Sequence, residues 1–290
     1  MTNCFNSKCP IVALAMNQVS NAKFAVDCHN VGIYPSISLF NYKTIKDFLL
    51  DVSYFKEKTG TTNFLFSLNF SDFENKQIRN IIDKLDIKNI ELIFNFHNSN
   101  EIFSNIKNEL KKRQNIVFYL KTMSVTGLKF NEYFNGFILK GNNSAGIIGK
   151  NKIESIFLYT KKTYPDKFII PSGGIENKNQ IKYFMDNGAA AVGIGTLFAL
   201  SEESPIPKES KLAMINKKRN IMITQHNKLN YEKGAVIFSK IKNIENDPND
   251  TTSLKLGINS LGKQGHIYAG SAIENIKEIK PLKQIMQELI

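Results

Sequence analysis

Short apolar runs alternate along this chain with longer amphipathic, lysine-rich stretches, and that alternation sets the expected fold. The runs are Pro10–Ala15, Gly32–Ile37, Asn63–Leu68, Ile90–Phe94, Asn115–Leu120, Gly136–Leu139, Phe168–Pro171 and Ala190–Ile194. Each has the length of a strand buried on both faces, and each is followed by a helical or short connecting segment, the rhythm of βα units around a parallel sheet. Eight such units predict an α/β protein closed into a (β/α)8 TIM barrel. Lys43–Phe55 and Asn151–Thr163 put apolar residues at helical spacing with lysines opposite, and are predicted helices.

The rhythm breaks after Ser201. Glu-Glu-Ser-Pro-Ile-Pro interrupts it, a basic helical stretch follows, and Asn243–Ser253 is an Asn/Asp-rich loop containing one proline. The expected division is a barrel over residues 1–201, a small, mainly helical lid over 202–262, and a segment 263–290 that breaks at Pro281 and returns to the barrel wall.

A chain of 290 residues with 42% hydrophobic content buries one sizeable core. No apolar run reaches the roughly 18 residues of a membrane span, and the first residues lack the basic and apolar regions of a secretion signal, so a cytoplasmic protein with no membrane partner is expected. Cys4, Cys9 and Cys28 are odd in number and lack the paired spacing of a zinc site. They read as free thiols in a reducing compartment, and no metal is expected. The net charge of +12 comes mostly from lysines spread among Asn and Ile, without the interleaved aromatics of a nucleic-acid platform. The exception is Ile206–Lys240, where Lys208, Lys211, Lys217, Lys218, Arg219, Lys228, Lys233 and Lys240 face only Glu209 and Glu232. It reads either as a solvated face or as a surface steering an anionic substrate or a nicotinamide phosphate.

In this fold chemistry sits at the carboxyl ends of the strands. Pro171-Ser-Gly-Gly-Ile175 follows the seventh run and Gly193-Ile-Gly-Thr196 the eighth, where such barrels place a phosphate. Glycine lets backbone N–H groups approach phosphate oxygens, and a following helix adds its positive end. Lys140-Gly-Asn-Asn-Ser-Ala-Gly-Ile-Ile-Gly149 follows the sixth run and suits a loop pressed against a planar ligand or its phosphate. Asn69, His97 and Lys121 end the third, fourth and fifth runs, and a lysine there could stabilise negative charge on a reduced flavin.

The order of Pro10-Ile-Val-Ala-Leu-Ala-Met-Asn-Gln-Val-Ser20, Ser67-Leu-Asn69, Phe137 to Gly146, Ile170-Pro-Ser-Gly-Gly-Ile175, Gly188 to Ser204 and Gly265-His-Ile-Tyr-Ala-Gly270 resembles the nitronate monooxygenase (2-nitropropane dioxygenase) family. The resemblance implies FMN as cofactor. It places the backbone of Ala15 and Met16 against the flavin ring and Asn69 and Lys121 at its polar edge. It assigns Gly141, Ser144, Ala145, Gly173, Gly174, Gly195 and Thr196 to the ribityl phosphate. No dinucleotide fingerprint accompanies these motifs.

One position departs. The family is similar in carrying a catalytic His in the loop after the sixth strand, and Ile147 stands there. Proton abstraction by such a base contributes about 10²–10⁴-fold, so oxidation of neutral nitroalkanes is in doubt while pre-ionised nitronates need no base. His97 and His266 are the candidate replacements. The resemblance implies an oxidoreductase converting alkyl nitronates with O2 to a carbonyl compound and nitrite. The alternatives are an NAD(P)H-dependent FMN reductase of quinones or enoyl thioesters, and a flavin-binding pseudoenzyme or regulatory protein. Expected partners are a small-molecule substrate and a second copy in a homodimer.

Overall fold

A computed structural model of the protein describes residues 10–93, 99–217, 219–226, 229–238 and 251–290. The apolar runs become strands where predicted: β1 (Ile11–Ala13), β2 (Ser36–Ser38), β3 (Leu65–Asn69), β4 (Asn89–Ile93), β5 (Val117–Thr122) and β6 (Gly136–Lys140). A short β7 (Gly146–Ile147) precedes β8 (Phe168–Ser172) and β9 (Val192–Ile194). Phe94, which ends the fourth predicted run, lies outside the described residues. All except β7 form one parallel sheet in the order β1-β9-β8-β6-β5-β4-β3-β2. Its two edges meet: Tyr34 N–H donates to Ile11 O at 3.0 Å, and Ala13 N–H to Tyr34 O at 2.9 Å. The sheet is therefore a barrel, with no edge left to pair elsewhere.

Helices α1 (Ala22–Asn30), α2 (Ile45–Thr59), α3 (Phe70–Glu74), α4 (Lys76–Leu85), α5 (Ser99–Lys112), α6 (Ile153–Thr163), α7 (Lys178–Asp186) and α8 (Thr196–Ala199) follow the strands. Their limits have local causes. Thr44 Oγ1 caps α2 by accepting from Asp47 N at 3.1 Å, and Gly60 ends it at φ 71°. Asn177 Oδ1 starts α7 by accepting from Gln180 N at 3.0 Å. Phenylalanines fill the space between helices and sheet: Phe48 stacks on Phe66 at 4.7 Å, and Phe157 meets Phe184 edge-on at 5.2 Å. All four are fully buried, each stabilising the fold by about 1.5–3 kcal/mol.

Inside the barrel the chemistry changes along the axis. Val12, Leu14, Tyr34, Leu65, Tyr119, Ile138, Ile170 and Ala191 form one buried cluster. Side chains alternate along a strand, so residues two further on share the inward face. After Tyr34, Leu65, Tyr119, Ile138 and Ile170 these are Ser36, Ser67, Lys121, Lys140 and Ser172, and Glu91 follows the inward Asn89. The carboxyl end of the barrel is polar above an apolar floor.

The rest of the chain adds α9 (Lys208–Ile215), β10 (Asn220–His226), β11 (Leu229–Ile237), α10 (Thr251–Asn259), β12 (His266–Tyr268) and α11 (Leu282–Leu289), the last directly after Pro281. The stretch expected as a mainly helical lid therefore also contains strands β10 and β11, which β12 of the following segment joins in an antiparallel sheet, β10-β11-β12. The basic stretch is helical only to Ile215; from Asn220 the β-branched Ile221 and Ile223 lie on an exposed face, and extended backbone wins. This sheet reaches the barrel: β11 pairs with β7, Lys233 opposite Ile147 and Gly234 opposite Gly146. Among the described residues no helix is long and apolar enough to cross a membrane.

Candidate functional site

The glycine motifs converge at the carboxyl end of β6, β8 and β9. Gly173 has φ 110° and Gly174 φ 77°, backbone that residues with a Cβ rarely adopt. A Cβ at Gly173 would also collide with Ser144 Oγ, and one at Gly174 would lie 2.7 Å from Ser271 Oγ. Ser144 is buried, and its hydroxyl has no protein partner, nor has Asn142 Oδ1 in the same loop. Gly195 starts α8 without a side-chain cap and faces Met16 Sδ across 3.6 Å from where a Cβ would stand. Orphaned polar atoms, uncapped first-turn N–H groups and glycines at their closest approach make a cradle for an oxyanion. The predicted Met16, Ser144, Gly173, Gly174 and Gly195 thus come together.

Other predicted residues have additional duties. Gly141 packs under α6, where a Cβ would lie 2.8 Å from Ile153, and its N–H donates to Ser172 O at 3.1 Å. Thr196 Oγ1 accepts from Gly270 N at 2.8 Å, and Ser271 N donates to Asn143 O at 3.0 Å, so the segment after β12 is fastened to both glycine-rich turns. Ala145 O accepts from Lys140 Nζ at 2.9 Å. Ala15 follows β1, and Met16 N donates to Ser20 Oγ at 2.9 Å. Asn69 ends β3, but Asp72 Oδ2 accepts from both its backbone N (2.9 Å) and its Nδ2 (3.2 Å), which starts α3.

Lys121 is buried and forms a 2.6 Å ion pair with Glu91, itself fully buried. Lys140 stands beside them on the neighbouring strand. Burial and the Lys121 charge push the Lys140 ammonium down to about 7, with Glu91 acting in the opposite direction. Two lysines against one carboxylate give the mouth a positive excess when Lys140 is protonated. Sequence reasoning missed Glu91 and Lys140, although a glutamate inside the apolar run Ile90-Glu-Leu-Ile93 is a signal, because a buried carboxylate needs a partner.

Of the two candidate bases, His266 alone lies among the described residues. His97 lies outside the described residues. His266 is buried in β12, where Nδ1 shares a hydrogen bond of 2.8 Å with Ser253 Oγ of α10, and a Cβ at Gly257 would collide with its carbonyl. These contacts hold it between β12 and α10. Ile147 sits in β7, held by β11.

The basic stretch is only partly a solvated face. Lys211 is buried and donates to the carbonyls of Ser201 (2.5 Å), Ser204 (2.9 Å) and Glu202 (3.3 Å), and burial pushes it down to about 8. Arg219 reaches across to the glycine-rich loop: Nη2 donates to Asn142 O at 3.0 Å and Ser144 O at 3.1 Å, and Nε to Ala269 O at 3.2 Å. Among the described residues no three His, Cys, Asp or Glu side chains form a metal-binding group.

Comparison with known proteins identifies the family and the fold. The profile of the family described as nitronate monooxygenase matches residues 62–290. FabK from Thermotoga maritima superposes with a TM-score of 0.80 at 18% identity, covering 99% of this chain and 93% of that one. A nitroalkane oxidase from Streptomyces ansochromogenes superposes with a TM-score of 0.72 at 14% identity, covering 98% and 95%. At such identities the likeness is one of fold. A search of curated proteins by sequence finds no match.

Proposed function

Since the chain belongs to the nitronate monooxygenase family, we propose that it is an FMN-dependent oxidoreductase that oxidises alkyl nitronates with O2 to a carbonyl compound and nitrite. Family membership implies a flavin, and the cradle favours a flavin with one terminal phosphate. Ser144 Oγ would donate to it beside Gly173, while Gly174, Gly195 and Thr196 would present backbone. When bound, the flavin supplies the electron acceptor for the substrate and the donor for O2.

The observation that carries the substrate class is the mouth itself: Lys121 and Lys140 against Glu91, with Ile147 where the family's base stands. An apolar side chain removes no proton, which supports a substrate that arrives already ionised. The lysine excess favours such an anion and the negative charge that collects on a reduced flavin ring. The same Ile147 also suits a second reading, hydride transfer from NAD(P)H to FMN, which needs no base.

The test is the visible spectrum of the purified protein, followed anaerobically on adding propionate-3-nitronate and then NADPH. Bleaching of a flavin band by the nitronate alone is the expected result. Bleaching by NADPH alone moves the assignment to the reductase, and absence of a flavin band even after FMN is supplied overturns both.

A further inference from the structure

Resting on the FMN reading, we propose that Arg219, a residue of the lid, is the positioning residue of the phosphate loop. The loop then discriminates FMN from unphosphorylated flavin only while the lid is docked. Two cations grip the loop from different elements. Arg219 Nη2 takes the carbonyls of Asn142 and Ser144, and Lys140 Nζ takes that of Ala145. In a planar trans peptide the carbonyl and the following N–H point in opposite directions. Turning the Asn142 and Ser144 carbonyls onto the guanidinium therefore turns the N–H groups of Asn143 and Ala145 away from it. Hydrogen bonds from a charged donor are stronger than neutral ones and fix a loop that glycines would otherwise leave loose.

A second observation supports the grip independently. Gly234 in β11 lies over the same point: a Cβ there would stand 2.6 Å from Ser144 O and 2.8 Å from both Nε and Nη2 of Arg219. The missing side chain is the space the guanidinium occupies. β11 also pairs with β7 directly beyond this contact, and Ala269 N donates to Gly234 O at 3.1 Å, so Arg219, Gly234 and the loop are parts of one hydrogen-bonded layer. The acceptors of Arg219 here are backbone carbonyls, which leave its positive charge beside the cradle.

The experiment removes flavin from the full-length protein and titrates it with FMN and with riboflavin, following fluorescence quenching. Wild type is expected to prefer FMN. Arg219→Gln and Gly234→Ala are each expected to weaken FMN binding by about tenfold or more, with riboflavin changed by less than about threefold, and Arg219→Lys to recover part of the loss. A general structural role would weaken both flavins in parallel, and that outcome, or an unchanged preference, overturns the proposal. Should Arg219→Gln fail to fold, Gly234→Ala and Arg219→Lys decide the same question. A wild type that binds neither flavin overturns the FMN reading itself.

Discussion

A lysine enclosed in a barrel carries an electrostatic cost that depends on pH. Lys140 is pushed from 10.5 down to about 7 and Lys211 from 10.5 down to about 8, both chiefly by burial. Between the folded value and 10.5 the unfolded chain binds more protons than the folded one, so stability rises with pH, from about 7 upward for Lys140 and from about 8 for Lys211. Each group contributes at most about 1.4 kcal/mol per pH unit within its window. Wild type is expected to have a higher urea midpoint at pH 9 than at pH 7, and Lys140→Met a smaller difference; an equal difference in the two proteins would refute the assignment. Residues of this kind were unevenly legible. Ser144, Gly173 and Gly195 stand out in the sequence because they are small residues just after barrel strands, where such barrels place a phosphate, and the structure brings them together. Arg219 looks like one charge among many, since its acceptors are backbone carbonyls of residues far away in sequence.

Among elements, the eight barrel strands could be read because a strand buried on both faces leaves an unbroken apolar run. β7 could not, being two residues long with no period to detect, and β10 was hidden by the lysines and arginine before it. The small strand matters because its pairing with β11 sets the backbone at Ile147, where the resemblance to the family puts a base. Ile147→His is expected to let a neutral nitroalkane reduce the flavin at least about tenfold faster in stopped-flow, with the nitronate rate little changed. If the variant keeps its flavin and its nitronate reactivity but shows no gain, residue 147 does not address the substrate.

At the scale of the whole molecule, a cofactor held jointly by barrel and lid, as proposed, would stabilise both. Ligand at a hundredfold excess over its Kd adds about 2.7 kcal/mol, and for a domain of this size each kcal/mol raises Tm by about 2–4 °C. Saturating FMN is expected to raise the Tm of the flavin-free protein by about 5–11 °C in a circular-dichroism melt, as a single transition. Two transitions, with only the first responding to FMN, would mean that the lid melts apart from the barrel. The link between Arg219 and the loop spans 75 residues to Ser144 and 77 to Asn142. Chains are synthesised from the amino end, and contacts of such separation form late. A ribosome that has released the eight barrel strands has still not delivered the residue that aligns the loop. On the proposed role of Arg219, flavin capture falls among the final events in the birth of the protein, after the barrel has had to stand without it.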